Sequence, residues 1–196
     1  MNIDLGFGPD PVPLARSDWL GHTVTDLDGR RGVVRRVYQA DTVQVAILTA
    51  ADQEPDSCPI WDEPLDLLAR EGEGAAFPLF RQLVEEVGDL EILVLRGHAR
   101  EAEKDRYRAL RDRLGPYHKA QSSLHFALIQ QVQAGDRVID YLRNWQGTVL
   151  APDLPPAMSF RHKMTVRLDE AHHDERWPDG IVDLFTVTLY PTLGLL

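Results

Sequence analysis

The sequence feature that most constrains the fold is an internal repeat. The motif Gly21-His-Thr-Val-Thr-Asp26 returns later in the chain as Gly135-Asp-Arg-Val-Ile-Asp140, and a Gly-x-Val segment follows each copy. Trp61 and Trp177 lie at nearly equal distances from the two opening glycines, and an Asp-Leu pair follows each tryptophan. A repeat that extends over a whole unit predicts two copies of one module, which constrains the architecture before any local structure is assigned.

Each copy of the repeat is predicted to consist of short β-strands joined by turns. The segments with strand patterns are residues 23–25, 32–38, 42–48, 164–168 and 184–189. Their valine-, threonine- and leucine-rich composition, bounded by Gly and Pro, is typical of strands in a small β-module.

Both copies resemble SH3-like barrels of the KOW or PRC-barrel kind. The residues that carry the resemblance are the opening Gly-x-x-Val-x-Asp, the Gly-x-Val strand and the Trp followed by Asp-Leu. The resemblance implies barrels over residues 19–70 and 134–192. It predicts an α+β fold in which two SH3-like β-barrel modules flank a central helical hairpin.

A helical segment is predicted between the modules, over residues 74–133. Phe77, Phe80, Val84 and Val87 recur at the spacing of one helix face. Residues 90–95 fit either a buried strand or another helical turn, and periodicity does not decide between the two. Gly115-Pro116 predicts a break between two further helices, because proline is favoured in the first turn of a new helix. The helices on either side of this break are expected to form the hairpin.

The two ends of the chain are predicted to be arms. Residues 1–18 form an extended arm in this interpretation, because the spacing of Gly and Pro opposes both helices and sheet ladders. Residues 193–196 form an apolar tail, in which Leu193, Leu195 and Leu196 have no regular structure to bury them. We therefore expect both arms to become ordered when the protein assembles.

Composition excludes several classes of protein and partner. The chain has 196 residues, of which 43% are hydrophobic and 27% charged, and this suits one compact domain or two small ones. Its net charge of −10 argues against nucleic acid or an anionic membrane as a partner. Cys58 is the single cysteine, which excludes an intrachain disulfide and a cysteine-based zinc site.

The sequence predicts a cytoplasmic protein, or one in a particle assembled in the cytoplasm. The N-terminus lacks the basic and apolar regions of a secretory signal. No apolar run approaches the ~18 residues that a membrane-spanning helix requires.

Metal-ligating residue types are present, but their spacing favours a structural interpretation. The cluster at residues 169–175 includes His172 and His173, and oxygen and imidazole ligands of this kind can hold a divalent metal. Neighbouring residues of one loop rarely converge on a metal, so the cluster is interpreted as a solvated hairpin tip. His98 is a further weak candidate. No metal or other cofactor is predicted.

No catalytic residue is predicted either. The chain contains no Gly-x-Ser-x-Gly, Walker A or Gly-x-Gly-x-x-Gly motif. Ser122 and His125 lie in one helical segment, where a nucleophile and a base would still need distant partners. His118 and His125 are two helical turns apart.

The helical segment followed by a barrel also resembles the beta subunit of nitrile hydratase, with Arg113-Leu-Gly-Pro116 before a helix. In that family the metal belongs to the partner subunit, whose cysteine cluster this chain lacks. The resemblance therefore implies an enzyme subunit that has no catalytic metal of its own.

The favoured function is a non-catalytic protein–protein interaction or assembly subunit, such as a scaffold or adaptor of a virus particle or other large complex. Trp19 and Trp145, together with the three leucines of the tail, are the interface candidates, because exposed tryptophan commonly anchors an interface. Trp61 and Trp177 are interpreted as core residues. An acidic inhibitor that blocks a basic enzyme is the first alternative, and the nitrile-hydratase-like subunit is the second.

Overall fold

The computed structural model describes residues 10–52, 60–72, 77–152, 162–173 and 175–192, with only the backbone for residues 77–80. Two antiparallel sheets and two long helices make up these residues. The α+β prediction is therefore confirmed. None of the helices in the described part of the chain is long and apolar enough to span a membrane.

The first sheet has six strands. They are β1 (Val12–Pro13), β2 (Thr23–Thr25), β3 (Arg31–Ala40), β4 (Val43–Ala50), β5 (Ile60–Pro64) and β6 (Ala69–Arg70). The main path runs β5-β4-β3-β2-β6, and β1 pairs with β3. A 3₁₀ turn, Leu65–Leu67, separates β5 from β6.

The second sheet repeats this path with five strands. They are β7 (Arg137–Asp140), β8 (Trp145–Ala151), β9 (Lys163–Leu168), β10 (Ile181–Phe185) and β11 (Leu189–Pro191). The order is β10-β9-β8-β7-β11, and the 3₁₀ turn Thr186–Thr188 precedes β11. The segment 184–189, which the sequence predicts as β-rich throughout, is therefore interrupted at its centre.

The two opening glycines occupy equivalent positions in the two sheets. Gly21 and Gly135 have φ values of +79° and +97°, which glycine adopts without steric cost. The Gly21 N–H donates to the Val34 carbonyl at 2.9 Å, and the Gly135 N–H donates to the Val149 carbonyl at 2.8 Å. The strand register shifts just after each of these valines, so the β-bulge is repeated as well.

The two tryptophans are not equivalent, and this part of the predicted repeat is wrong. Trp61 lies inside β5, opposite Leu48, whereas Trp177 lies in the turn before β10. Val182 is the residue of β10 that matches Trp61 in register. The nearly equal spacing along the chain does not imply equivalent positions, because loops of different length change the residue count without changing which residues pair across strands.

The described strands form open paths. Neither β5-β4-β3-β2-β6 nor β10-β9-β8-β7-β11 returns to its first strand within the described residues. Two matching antiparallel sheets are therefore shown, and closure into barrels stays a prediction.

The helices differ from the prediction in where the hairpin lies. Helix α1 is Phe77–Leu95, so residues 90–95 are its last turns, and α2 is Glu101–Ile129. The predicted break at Gly115-Pro116 is wrong, because α2 continues through both residues. The hairpin is instead formed by α1 and the first half of α2, with residues 96–100 as the connection.

The continuity of α2 follows from its buried face. Leu110 and Leu114 before the proline, and Ala120 and Leu124 after it, are all buried at helical spacing. Pro116 removes one backbone hydrogen bond from the helix interior. We attribute the tolerance of this loss to the burial on both sides of the proline.

Helix α2 connects the cores of the two sheets. Its residues Ala120, Leu124 and Leu128 pack on one face of the first sheet, in a cluster that also contains Tyr190 of β11. Ile129, at its end, packs in the core of the second sheet. The other face of the first sheet has a separate core, which includes Trp61. Both sheets therefore meet around the second half of α2.

Part of the predicted N-terminal arm is paired. Val12 and Pro13 align with Gln39 and Tyr38 of β3, and the Leu14 N–H donates to the Val37 carbonyl at 2.8 Å. Proline is tolerated at such a sheet edge, where its missing N–H costs no ladder bond. Residues 1–9 and the tail at 193–196 lie outside the described residues.

Candidate functional site

A cavity of about 410 Å³ lies where the first sheet, the second sheet and α2 meet. Strand β5 is the edge of the first sheet, and side chains from both of its faces reach the cavity. The cavity is lined by polar and aromatic side chains, which include Arg30, Trp61, Asp62, Glu63, His118, Gln121, Ser122, His125, Tyr141 and Tyr190. Because residues of both repeated sheets line this cavity, it is the first candidate site.

Asp62 of β5 is the most unusual residue of the cavity. Its carboxylate is buried, with a relative exposure of 6%, and its Oδ1 accepts a hydrogen bond from the Tyr190 hydroxyl of β11. The Gln121 amide donates to the Asp62 carbonyl at 3.0 Å. Within the described structure, Oδ2 of the same carboxylate has no hydrogen-bond partner. A buried carboxylate oxygen without a donor is costly, so its presence needs an explanation.

Trp61, the preceding residue, has a buried hydrogen-bond donor without an acceptor in the described residues. Its indole is 9% exposed, and no acceptor in the described residues receives its Nε1–H. The guanidinium of Arg30 lies over the indole, 5.2 Å from the ring centroid. The cavity therefore has both an acceptor and a donor without partners, on neighbouring residues.

Burial raises the pKa values of both carboxyl groups on β5. The pKa of Asp62 is raised to about 6, against the effect of its Tyr190 hydrogen bond. Burial also raises the pKa of Glu63 to about 8, and the nearby charges of Asp62 and Asp26 add to this effect. Desolvation by burial, and then the charge of Asp62, raises the pKa of Tyr190 well above its usual range. Perturbed carboxyl groups in a cleft are a frequent property of functional sites.

Helix α2 contributes a row of polar side chains to the opposite wall. His118, Gln121, Ser122 and His125 lie on one face at helical spacing. His125 Nε2 is 3.1 Å from the Thr186 carbonyl, and burial lowers the pKa of this imidazole. Its ring packs edge-on against Tyr190, with 4.6 Å between centroids. His118 and His125 therefore line the same cavity, although neither residue belongs to a metal-binding group in the described part of the chain.

The described residues contain no group of three or more His, Cys, Asp or Glu placed to hold a metal ion. His98 is exposed in the connection between α1 and α2, far along the chain from His172 and His173. His173 lies 3.1 Å from the Leu168 carbonyl and against Gly180, and Asp169 forms an ion pair with Arg137 at 2.5 Å. The polar cluster at residues 169–173 is thus engaged within its own sheet.

Helix α1 is the second candidate site, as an interaction surface. It is rich in leucine, isoleucine and valine, yet none of its described side chains, residues 81–95, is buried. Val84, Ile92 and Leu95 are 40%, 49% and 79% exposed. An apolar helix face of this kind commonly marks a protein–protein contact.

The predicted interface tryptophans are both half-buried. Trp19 packs against the core of the first sheet, with the guanidinium of Arg70 4.1 Å from its ring centroid. Trp145 packs against the core of the second sheet and stacks edge-to-face with Trp177 at 5.7 Å. Any interface role of these two residues depends on the remaining exposed edge of each ring. Leu193, Leu195 and Leu196 fall outside the described residues.

Sequence reasoning missed the cavity itself. Asp62 and Tyr190 are 128 residues apart, and nothing in the local pattern of either residue indicates that they meet. One signal was available, since Trp61-Asp-Glu is a polar interruption in an edge strand of the first copy. Comparison of the chain with family models, curated proteins and solved structures gives no match.

Proposed function

We propose that the chain is a non-catalytic assembly subunit that self-associates through the hairpin of α1 and the first half of α2. The observation that carries this proposal is the exposed apolar stripe of Val84, Ile92 and Leu95. Leu83, Val87, Leu90 and Val94 occupy the neighbouring stripe and are half-buried, at the a/d spacing of a helix that packs on a partner helix. One stripe therefore serves α2, and the other is available to a second molecule.

Charge supports a second copy of the chain as the occupant. Residues 81–95 contain four acidic side chains and one basic, whereas residues 100–113 contain six basic and four acidic. Within one hairpin the two helices already pair, since Arg106 bonds Glu86 at 2.8 Å. Two hairpins related by a two-fold axis would place the acidic helix of each against the basic helix of the other, in a four-helix arrangement.

Gly88 fits this interpretation, because it lies on the exposed stripe between Val84 and Ile92. A Cβ at Gly88 would meet no atom of the chain within 4 Å. Glycine in a helix interior costs roughly 0.5–1 kcal/mol relative to alanine. A close approach by a partner helix would offset that cost.

The test is the oligomeric state, measured by size-exclusion chromatography with light scattering over a range of concentrations. The wild type is expected to form a dimer, and Ile92→Glu and Leu95→Glu are expected to weaken it by at least about a hundredfold, because each is repeated across the interface. Leu142→Glu is the matched control, since Leu142 is 65% exposed in the second sheet. Gly88→Ala should raise the stability of the monomer and weaken the dimer.

A wild type that stays monomeric at every concentration contradicts self-association. A dimer that Leu142→Glu disrupts and Ile92→Glu leaves intact contradicts the choice of surface. The matching strand orders of the two sheets support the further proposal that both are SH3-like modules, packed together on α2. Comparing the full chain with a variant lacking residues 193–196 in the same assay tests the proposed role of the tail.

A further inference from the structure

The cavity between the two sheets carries an inference that is independent of assembly. Two side chains that are more than nine-tenths buried line it, and each has a polar atom without a protein partner in the described residues: Asp62 Oδ2 and Trp61 Nε1. A buried unpaired acceptor is destabilising, so a ligand that supplies a donor to Oδ2 gains free energy on binding.

The charge around this acceptor favours a positively charged donor. The charges of Asp62, Asp26 and Asp28 all raise the pKa of Glu63, and Arg30 is the cation that opposes them. The Arg30 guanidinium already pairs with Asp26 at 2.6 Å, and it reaches Asp28 and Glu63 at 3.4 and 3.5 Å. Carboxyl groups therefore outnumber cations at this edge of the first sheet, and a bound cation would be stabilised there.

The remaining walls are aromatic and suit the apolar part of a cation. The ring of Tyr190 is in edge-to-face contact with Tyr141, with centroids 5.7 Å apart, and also with His125. Trp61 closes the cavity on the side of β5. Aromatic faces attract cations through their ring quadrupoles, most strongly where water is excluded. The combination of a buried carboxylate and aromatic rings is the chemistry that recognises organic ammonium groups.

We propose that this cavity is a binding site for a small organic amine in its ammonium form, which donates an N–H to Asp62 Oδ2 and packs its apolar part against the aromatic rings. The unpaired Trp61 N–H gives the site a place for an acceptor on the same ligand. The position of the site, between elements from both sheets and α2, is typical of small-molecule cavities.

The repeat supplies a natural comparison. Asp183 of β10 faces Thr165 of β9 at the register position that Asp62 of β5 has opposite Ile47 of β4. Asp183 is exposed and accepts from the Thr165 hydroxyl at 2.9 Å. The same residue type in the same strand position is therefore a solvated surface group in one copy and a buried cavity group in the other.

Isothermal titration calorimetry at pH 7.5 tests the site, with 2-phenylethylamine as the probe and 2-phenylethanol as its neutral counterpart. The wild type is expected to bind one equivalent of the amine at least about tenfold more tightly than the alcohol. Asp62→Asn is expected to lose at least about tenfold in affinity, and Asp183→Asn to stay within about twofold of the wild type. Glu63→Gln, titrated at pH 9, where a carboxyl with a pKa of about 8 is mostly ionised, and read alongside circular dichroism, provides a second loss of charge should Asp62→Asn misfold.

Affinity should also fall at low pH. Because the pKa of Asp62 is about 6, about tenfold less of the ionised carboxylate remains at pH 5 than at pH 7.5. Glu63, whose pKa is about 8, is already largely protonated at pH 7.5. The imidazoles that face the cavity, His118 and His125, can only add positive charge as pH falls, while arginine stays charged. Tyr141 and Tyr190 stay neutral over this range, since burial raises both of their pKa values.

Three results would overturn the proposal. One is the lack of saturable binding of the amine up to about 10 mM, a concentration higher than the largest dissociation constant expected for such a site. The second is equal affinity for amine and alcohol, which would show that charge is not recognised. The third is unchanged affinity in both Asp62→Asn and Glu63→Gln when both variants are folded.

Discussion

Two buried aspartates, Asp26 and Asp140, organise the same turn in the two sheets. The carboxylate of Asp140 accepts hydrogen bonds from the backbone N–H groups of Leu142 and Arg143 at 3.0 and 3.3 Å, and from the Arg143 guanidinium at 2.6 Å. Asp26 does the same for Asp28 and Arg30. The final aspartate of each Gly-x-x-Val-x-Asp motif thus accepts hydrogen bonds from the backbone N–H groups of the turn that follows it.

Replacing Asp140 with alanine should therefore lower the free energy of unfolding by about 2–3 kcal/mol, because two backbone donors and a guanidinium lose their acceptor. Urea denaturation followed by circular dichroism measures the change. Asp183→Ala, at an exposed carboxylate, is the control and should cost less than about 0.5 kcal/mol. Equal effects of the two substitutions would show that the Asp140 turn is not a stabilising element.

Asp62 makes stability depend on pH in a direction opposite to that of an ion-paired carboxylate. Because its pKa in the folded protein is about 6, above the ordinary value of 3.8 for aspartate, the folded state holds the proton more tightly than the unfolded chain. The contribution of Asp62 to the free energy of unfolding is therefore largest at acid pH and is lost as pH rises through 6. Glu63, with a pKa of about 8, extends the loss to higher pH.

Asp62→Asn removes this titration, so its stability relative to the wild type should grow by about 1 kcal/mol between pH 5 and pH 8. Urea unfolding at the two pH values tests this expectation. Asp183→Asn should show no such growth. If the free energy of unfolding changes by the same amount between pH 5 and pH 8 in the wild type and in Asp62→Asn, the carboxyl group of Asp62 does not have a raised pKa.

At the scale of the elements, Pro116 distinguishes a continuous helix from the two helices that the sequence suggests. In the interior of α2, proline is about 3 kcal/mol less favourable than alanine, whereas in a first helical turn it is well tolerated. Pro116→Ala should therefore raise the free energy of unfolding by about 1–3 kcal/mol, measured in urea. An unchanged or lowered stability would indicate that the helix ends at the proline after all.

The strands were more predictable than the helices, for a physical reason. Turns such as those at Gly21 and Gly135 depend on local backbone chemistry, which a motif records directly. The continuity of α2 depends on burial against other elements, which a Gly-Pro pair does not record. Residues 90–95 were ambiguous for the same reason, because a short apolar run fits a strand or a helix until its surroundings are known.

At the scale of the whole molecule, Tyr190 couples the second sheet to the first. It lies in the core shared by the first sheet and α2, and it donates to Asp62. Tyr190→Phe should cost about 1–3 kcal/mol, since the buried carboxylate loses its donor. In an Asp62→Asn background the cost should fall by more than half, because the charge is gone. Additive effects in this double-mutant cycle would mean that the hydrogen bond does not link the sheets energetically.

The sequence could predict two similar β-modules around a helical segment, but it could not predict the cavity between them. The pairing of Asp62 with Tyr190 arises only when both sheets pack on α2. Residues such as His118 and His125 were noticed for their chemistry, and only the fold shows that they share a wall with two buried carboxyl groups. Long-range packing is the information that a single sequence carries least directly.

The continuity of α2 also has a mechanical consequence. At about 1.5 Å per residue, its 29 residues form a lever about 43 Å long. Its first half contacts α1, where the Tyr107 hydroxyl donates to Glu91 and the Arg106 guanidinium donates to Glu86. Its second half forms a wall of the cavity. Pro116 lies near the middle of the helix, where the missing backbone hydrogen bond makes bending easiest. A displacement of the hairpin is therefore transmitted through one continuous helix to the residues around Asp62, and bending at Pro116 would reduce it.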